Sequence, residues 1–249
     1  MKKYLQKLGH AAYRASLYKV DTKIKNKVLL KFSYLLKKNA SKILRQNNKD
    51  IKFAKIKNIN KNLITRLEIN KPKLDSIIKT IIEITKLKDP VGVILDKWQR
   101  PNGLRIKKIS IPIGVIGVIY ESRPNVTSDV AALCFKSGNA VILKGGSEAI
   151  NTNRILAKLF RKALKKNKVD ENFIQFIDSK KRKLVDIMLS KMKAYIDVII
   201  PRGGKNLVKR VQDYSKVPII GHLEGLCHTY VDKDAQLKTA IDVIYNAKL

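Results

Sequence analysis

The chain has 249 residues, of which 45% are hydrophobic and 29% charged, and its 53 Lys and Arg against 20 Asp and Glu give a formal net charge of +33. This length can bury a sizeable core, and the apolar content argues against a disordered chain. Two Cys exclude a disulfide scaffold and favour a reducing compartment, which we expect to be the cytoplasm. No apolar run approaches the roughly 20 residues of a membrane span, and the start lacks the apolar segment of a secretory signal, so we expect no membrane partner.

The charge does not by itself identify a partner. The basic residues are mostly lysines scattered along the chain, whereas specific nucleic-acid readers concentrate them on one face and use arginine for bidentate contacts. The lysines also accompany Ile and Asn, which an A+T-rich coding bias would produce. We therefore expect a solvated basic surface and no specific nucleic-acid partner, while an anionic ligand and incidental nucleic-acid affinity stay open.

Residues 1–90 are predicted to be helical. Asp21 can cap a helix over residues 22–37, in which apolar residues recur at helical spacing. Ser41 begins a second helix, and Pro72 stands near the N-terminus of a third.

The apolar pattern changes after residue 90. Residues 91–111 predict a β-hairpin with strands over 91–95 and 104–111, joined across a Pro-Asn-Gly turn. From residue 112 onward short apolar strands alternate with helices, which is typical of an α/β fold with an open parallel sheet covered on both faces. The predicted strands cover residues 113–120, 140–143, 173–176, 196–200, 218–220 and 227–231. The predicted helices cover residues 126–137, 147–166, 181–192, 204–214 and 235–247.

The first candidate site follows the first of these strands. Gly114 and Gly117 are spaced as in a strand that needs close backbone approach, and Glu121, Arg123 and Asn125 follow at its carboxyl end, where such sheets bind ligands. The same residues also fit a plain strand whose glycines ease packing before an ordinary loop. The chain has neither a GxGxxG motif nor a P-loop, so any nucleotide is held in another way.

Two further strand ends carry similar residues. Lys144 ends one predicted strand and Ser147 can cap the helix that follows, and a cation beside a helix N-terminus suits an anion such as a ribose phosphate. A lysine on an ordinary turn fits these residues equally. Arg202, Gly203 and Gly204 form the third strand end. Three such ends in one sheet favour a shared anionic ligand.

The cysteines and histidines give weaker signals. The segment 221–228 contains two His, one Glu and Cys227, but no paired ligand motif accompanies them, so we expect a loop entering a strand and no metal site. Cys134 lies in an apolar helical stretch and is predicted to belong to the core. Spacing alone assembles neither a Ser-His-Asp triad nor a pair of catalytic carboxylates.

Together these segments resemble the gamma-glutamyl phosphate reductases, or glutamate-5-semialdehyde dehydrogenases, of the aldehyde dehydrogenase superfamily. The matching stretches are residues 111–127 with the sequence IGVIYESRPNVT, 138–146, 195–204 with IPRGG, and 227–231. Weaker matches extend through the N-terminal helices, so the resemblance covers essentially the whole chain. It implies an aldehyde dehydrogenase-like NADP-binding domain over residues 112–249, with helices of residues 1–90 packing on it and the hairpin of residues 91–111 between them.

The resemblance also implies an activity, the NADPH-dependent reduction of L-glutamate 5-phosphate to L-glutamate 5-semialdehyde and phosphate in proline biosynthesis. A cysteine thiolate would attack the acyl phosphate, phosphate would leave, and hydride would reduce the thioester. By motif, Lys144 and Ser147 would meet the adenosine ribose and its phosphate. Gly203 and Gly204 would approach the cofactor's phosphates or nicotinamide.

The substrate residues follow from the same resemblance. Arg123 and Asn125 would hold the substrate carbonyl. Our own hypothesis, from the chemistry of the side chain, is that Arg123 also attracts the acyl phosphate, because a guanidinium matches its oxygens bidentately. The family's nucleophilic cysteine is expected directly after Lys248, and neither Cys134 nor Cys227 matches it. We therefore expect this chain to lack the catalytic cysteine and the catalytic domain, through a partial gene, a frameshift or a split enzyme.

On this interpretation the isolated chain binds NADPH weakly and turns nothing over. Glutamate kinase is a candidate partner, and a homo-oligomer is expected for a full-length enzyme. Two alternatives stay open: a non-catalytic basic module that binds RNA or an acidic partner, and a remnant of the enzyme that keeps only its interactions.

Overall fold

A computed structural model describes residues 1–221 and 227–248 of the chain. Five helices come first: α1 (Lys2–Ser16), α2 (Thr22–Lys38), α3 (Ala40–Ile56), α4 (Lys61–Leu67) and α5 (Lys71–Lys86). As predicted, Asp21 caps α2, since its carboxylate accepts a hydrogen bond of 2.7 Å from the backbone N–H of Lys23. The helix predicted to begin at Ser41 begins one residue earlier, and Pro72 lies in the first turn of α5.

The hairpin is confirmed, with a later first strand. β1 (Ile94–Gln99) pairs antiparallel with β2 (Arg105–Ile109). The sequence predicts this first strand over residues 91–95. Gly92 instead has φ of +80°, a left-handed conformation that turns the chain before the strand can begin.

A parallel sheet forms the second half of the described chain and confirms the predicted α/β fold. Its strands β3 (Val115–Tyr120), β4 (Ala140–Gly145), β5 (Ile174–Phe176) and β6 (Val198–Arg202) lie in the order β5-β4-β3-β6. The intervening helices are α6 (Asn125–Lys136), α7 (Ile150–Lys166), α8 (Lys183–Lys191) and α9 (Lys205–Tyr214). Every residue of β3 and β4 is buried, which explains why their sequences are continuous apolar runs.

The last part of the described chain departs from the prediction. Residues 218–220 add only one parallel bridge, Ile199 to Ile219, at the β6 edge. The strand predicted over 227–231 is wrong: these residues are exposed and pair with no described strand, and a strand needs a partner for its backbone groups. The final helix, α10 (Leu237–Lys248), forms as predicted and buries none of its side chains. Within the segment 221–228, residues 222–226 lie outside the part of the chain that the structure describes.

One hydrophobic core joins the N-terminal helices to the sheet. Phe32 of α2 packs against Phe160 of α7 with ring centroids 4.4 Å apart, and Phe135 of α6 meets the same ring at 6.0 Å. No helix in the described ranges is both long and apolar enough to cross a bilayer.

Two charged contacts also hold the N-terminal helices in place. Lys25 of α2, only 2% exposed, pairs with Asp89 at 2.9 Å. The buried carboxylate of Asp50 in α3 accepts hydrogen bonds from the backbone N–H groups of Asn151, at 3.2 Å, and Thr152, at 2.8 Å. Asp50 therefore caps α7 from a helix about a hundred residues earlier in the chain.

Candidate functional site

The carboxyl ends of β3 and β4 open into one cleft of about 350 Å³, and α9, the helix that follows β6, lines it as well. Tyr120 at the end of β3 is the register partner of Gly145 in β4 and of Arg202 in β6, so the strand ends that the sequence singled out share one edge. The cleft is lined by Glu121, Lys144, Ser147, Glu148, Arg182 and Arg210, among others.

Both glycines of the first motif stand where backbone approach is close. Gly114 has φ of +123°, and a Cβ added there would lie 2.2 Å from Oδ2 of Asp197, which accepts a hydrogen bond from the N–H of Val115. A Cβ on Gly117 would lie 2.6 Å from Cε of Met188 in α8. The start and the middle of β3 therefore require glycine for different reasons.

Lys144 is the buried cation in the wall of this cleft, whereas Arg182 and Arg210 are exposed. The Lys144 side chain is 5% exposed, and Nζ donates a hydrogen bond of 2.7 Å to the carbonyl of Gly145. Burial lowers the pKa of Lys144, while the negative charge of Glu148 partly opposes that effect. An ammonium has three donors, so Lys144 can bind an anion without giving up its bond to Gly145.

Ser147 lines the cleft but does not cap the following helix, so that prediction is wrong. Ser147 begins a 3-10 turn (Ser147–Ala149), its side chain makes no capping hydrogen bond, and α7 starts only at Ile150. The capping role belongs to Asp50, whose carboxylate already satisfies the first N–H groups of α7.

A carboxylate covers the N-terminus of α9. The N–H of Gly204, the N-cap residue, donates a hydrogen bond of 3.1 Å to Oε2 of Glu121, and a Cβ on Gly203 would lie 2.5 Å from the same oxygen. Helix N-termini bind anions, so Glu121 stands where a phosphate would bind. Gly203 and Gly204 thus lie beside the cleft, and α9 lines it through Asn206, Leu207 and Arg210.

The loop after β3 is held in an uncommon conformation. Ser122 has φ of +43°, and both its N–H and its hydroxyl donate to Oε1 of Glu148, at 2.7 and 2.9 Å. Non-glycine residues rarely adopt this backbone conformation, and such strain is concentrated at functional sites. The bonds to Glu148 fix the direction in which the chain continues to Arg123.

Arg123 lies among other cations. Burial lowers the pKa of its guanidinium, and the positive charges of Arg66 and Arg202 lower it further. In the described part of the chain, Arg123 has no hydrogen-bonding or ion-pair partner. Three guanidinium groups from α4, the β3 loop and β6 therefore create a positive region suited to an anion.

Asn125 lies in a second cleft, of about 320 Å³, between α4, α5 and α6. Its Nδ2 donates a hydrogen bond of 2.9 Å to Oδ2 of Asp129, one turn later on α6. The predicted site residues therefore do not all line one pocket. They are Arg123, Asn125, Lys144, Ser147, Gly203 and Gly204. Lys144 and Ser147 line the first cleft, and Asn125 lines the second.

Sequence reasoning missed Arg66 and Asp129. Asp129 follows Asn125 by four residues in a predicted helix, a spacing that puts both side chains on one face and is a usable signal. Arg66 carries no such signal, because only the packing of α4 brings it near the loop after β3.

The two cysteines lie in different surroundings. Cys134 is buried as predicted, and burial raises the pKa of its thiol to about 12. Cys227 is exposed. Among residues 1–221 and 227–248, no three His, Cys, Asp or Glu side chains gather as metal ligands.

Known proteins resemble this chain along its whole length. The sequence profile of the Aldehyde dehydrogenase family matches residues 10–249, so the chain belongs to that family. Its curated relatives include the gamma-glutamyl phosphate reductase of Nitratiruptor sp., 46% identical over 249 residues, which are 100% of this chain and 60% of that protein. The gamma-glutamyl phosphate reductase of Clostridium tetani is 47% identical over 250 residues, 100% of this chain and 58% of that protein.

Solved structures agree with this assignment. The gamma-glutamyl phosphate reductase of Thermotoga maritima superposes with a TM-score of 0.92 at 39% identity, over 98% of this chain and 59% of that one. A probable aldehyde dehydrogenase of Listeria monocytogenes, with a TM-score of 0.65 at 15% identity over 88% of this chain and 46% of that one, shares the fold. The chain thus spans less than two thirds of the length of the relatives it matches.

Proposed function

We propose that this chain supplies the cofactor-binding part of an NADPH-dependent reductase that converts L-glutamate 5-phosphate to L-glutamate 5-semialdehyde and phosphate in proline biosynthesis. The observation that carries the proposal is the buried Lys144 in a cleft at the carboxyl edge of the parallel sheet, next to the N-terminus of α9. Open α/β sheets bind nucleotides at this edge. The names of the relatives support the choice of substrate.

The residues around this cleft fit a dinucleotide that carries a pyrophosphate and a further phosphate on its adenosine ribose. Lys144 and Ser147 suit the adenosine ribose and its phosphate, and the α9 N-terminus at Gly203 and Gly204 suits the phosphates next to the nicotinamide. When bound, NADPH supplies the hydride. Arg182 adds a cation to the cleft wall that has no hydrogen-bond or ion-pair partner in the described ranges, which favours the extra phosphate of NADPH over NADH.

The remaining site residues handle the substrate. The amide of Asn125 keeps one N–H that can donate to the reacting carbonyl oxygen, because its other N–H is bound by Asp129. Arg123 attracts the phosphoryl group, which the nearby Arg66 and Arg202 assist. Cys134 is unsuited to act as the nucleophile because its thiol is buried and protonated at neutral pH.

A fluorescence titration of the 249-residue protein with NADPH tests the cofactor proposal. We expect saturable binding that Lys144→Met weakens about 10- to 100-fold, since a hydrogen bond to a charged group contributes about 1.5–3 kcal/mol. Lys166→Met, which removes an exposed lysine from the far end of α7, is the matched control and should leave binding unchanged. Absence of binding, or equal affinity of the Lys144 variant, would contradict the proposal.

The basic binding module stays a second candidate, because α7 presents lysines along its outer face. Lys158, Lys162 and Lys165 line a shallow cleft there, beside Arg154 and Arg161, which are already paired with Asp178 and Glu171. A filter-binding salt titration separates the two functions. RNA binding that falls steeply with salt and is not displaced by NADPH would favour this module.

A further inference from the structure

A series of buried hydroxyl and amide groups joins three elements behind the candidate site. Tyr120 is the last residue of β3, Thr127 lies in the first turn of α6, and Asn153 lies in the first turn of α7. Oη of Tyr120 lies 2.6 Å from Oγ1 of Thr127, which donates a hydrogen bond of 2.9 Å to Oδ1 of Asn153. All three side chains are buried. We call these three residues the Tyr-Thr-Asn network.

The hydrogen bonds of this network run in one direction. A hydroxyl has one proton, and Thr127 gives its proton to Asn153, so Tyr120 must donate to Thr127. Burial raises the pKa of Tyr120, and the hydrogen bond with Thr127 opposes this only in part, so the phenol keeps the proton that the bond needs. Removal of the Thr127 hydroxyl therefore breaks both bonds, whereas removal of the Tyr120 hydroxyl breaks one.

The network closes the loop after β3. Its first bond joins the residue directly before this loop to a residue at the start of α6, and Arg123 and Asn125 lie between them. The carboxylate of Glu148 holds the same loop at Ser122. Asn153 and Glu148 both follow β4 in the chain. The segment after β4 therefore fixes the segment after β3 at two points, one on either side of Arg123.

The network also reaches the wall of the first cleft. Tyr120 and Gly145 both line that cleft. A Cβ added at Gly145 would lie 2.2 Å from Nδ2 of Asn153 and 3.1 Å from the ring atoms Cε2 and Cζ of Tyr120. The network therefore packs directly against the end of β4, beside Lys144, and connects it to the loop that carries Arg123.

Stability alone would not favour this arrangement. Nδ2 of Asn153 is buried and has no hydrogen-bond partner in the described part of the chain, and an unsatisfied buried donor is costly. Apolar side chains of the same shape would avoid this cost, and replacing both partners of a buried hydrogen bond in this way can be nearly neutral. Hydrogen bonds, however, fix distance and direction. The network is therefore better explained by the placement of the loop than by stability.

We propose that Tyr120, Thr127 and Asn153 are positioning residues that hold Arg123 and Asn125 in place at the carboxyl edge of the sheet. The inference rests on the proposed function, because that function assigns the phosphoryl group to Arg123 and the carbonyl oxygen to Asn125. It adds residues that act on the substrate only through the two side chains that they place.

Hydrogen exchange of the ¹⁵N-labelled 249-residue protein, followed by NMR, measures how firmly the loop is held. The informative amides are those of Ser122 and Val126, which are both hydrogen-bonded. We expect Thr127→Val, which keeps the shape of the side chain, to speed their exchange about 10-fold or more, because both bonds of the network are lost. Thr127→Ser keeps the hydroxyl and should return the exchange most of the way to that of the wild type.

An exposed threonine provides the matched control. Thr239→Val removes a hydroxyl from α10 and should change the exchange of the loop amides less than about twofold. Unchanged exchange of the Ser122 and Val126 amides in Thr127→Val would overturn the proposal. Failure of Thr127→Ser to restore slow exchange would also overturn it, because the hydroxyl would then not be the group that holds the loop.

A triple substitution separates placement from stability. Tyr120→Phe, Thr127→Val and Asn153→Leu together remove every polar group of the network and leave none unsatisfied, so we expect the urea midpoint to stay at the wild-type value or to rise. Inorganic phosphate should nevertheless shift the Nε–H signal of Arg123 with about 10-fold weaker affinity, because the guanidinium is no longer held ready for it. Loss of stability with wild-type phosphate affinity would overturn the proposal, since the network would then only stabilise the fold.

A parallel titration with NADPH distinguishes this inference from the proposed function. If the wild type binds NADPH but the loop does not respond to Thr127→Val, the positioning role is wrong and the cofactor site stands. If the loop responds but the wild type binds no NADPH, the proposed function is wrong and the placement of the loop by the network stands.

Discussion

The carboxylate of Glu121 and the backbone N–H of Gly204 form a hydrogen bond of 3.1 Å that closes the N-terminus of α9. The bond joins the end of β3 to the start of the helix that follows β6. Glu121 is exposed, so its carboxylate can leave at little cost. In the free protein it therefore holds the position that we assign to a cofactor phosphate.

Removal of this negative charge should improve cofactor binding. We expect Glu121→Gln to bind NADPH about two- to fivefold more tightly, the range that corresponds to a charge near a helix N-terminus at roughly 0.3–1 kcal/mol. Isothermal titration calorimetry measures the effect, and Glu83→Gln, which changes an exposed acid on α5, is the control. Weaker binding by the Glu121 variant would show that this carboxylate holds the cofactor instead of competing with it.

The stability of the protein should depend on pH through Lys144. Because burial lowers the pKa of this lysine in the folded state, the unfolded chain binds more protons just below the ordinary lysine pKa of 10.5. The contribution of Lys144 to the free energy of unfolding therefore rises with pH in that window.

Urea unfolding of wild type and Lys144→Met at about pH 8 and about pH 10 measures this contribution. We expect the wild type to gain stability relative to the variant as the pH rises. A difference between the two proteins that is independent of pH would mean that Lys144 keeps an ordinary pKa in the fold.

The pair between Lys25 and Asp89 should matter more than any exposed pair. Burial by itself would raise the pKa of Asp89. Hydrogen bonds from Lys25, from Thr22 and from the N–H of Val91 outweigh the effect of burial and lower this pKa below 3.8. The stabilisation is present above that pH and is lost as the pH falls through the folded-state pKa. Lys25→Met leaves the carboxylate unpaired, and we expect a loss of about 3 kcal/mol in the free energy of unfolding.

Circular dichroism during urea unfolding measures this loss. Arg154→Met breaks the exposed pair with Asp178 and should cost less than about 1 kcal/mol. The double variant Lys25→Met with Asp89→Asn should recover part of the loss, because no unpaired charge remains. Equal losses in the free energy of unfolding for Lys25→Met and Arg154→Met would contradict the expectation that the buried pair contributes more than the exposed one.

The two cysteines should differ sharply in reactivity. Since burial raises the pKa of Cys134 to about 12 and Cys227 is exposed, we expect a thiol reagent to modify one cysteine in the native protein and two after unfolding. Mass spectrometry of iodoacetamide-treated protein locates the adduct. Fast native labelling of Cys134 would contradict its burial and its raised pKa.

Local sequence patterns predicted the parts of the fold that depend on local order. β3 and β4 were found because buried parallel strands are apolar at every position, and α2 because Asp21 marks its first turn. Residues 227–231 also contain residue types common in strands, such as Thr, Tyr and Val, but no described strand lies beside them. The residue pattern of a segment cannot show whether a neighbouring strand is present to pair with it.

The candidate site likewise combines features that a local sequence pattern predicts with features that depend on packing between distant segments. The strand ends with Lys144 and Gly203 were identifiable because the carboxyl edge of a parallel sheet follows from the strand order. The capping of α7 by Asp50 and the unsatisfied oxygen of Asp129 arise from helices packed together, and neither is visible in a local pattern.

The cap that Asp50 gives to α7 restricts how this polypeptide can be divided. A shorter piece beginning at the hairpin would contain the complete sheet and every residue of the nucleotide cleft. It would lack the acceptor for the first N–H groups of α7 and the phenyl ring of Phe32 that covers Phe160. The smallest piece that keeps Lys144 in its place therefore includes the helices at the start of the chain, although none of them lines that cleft.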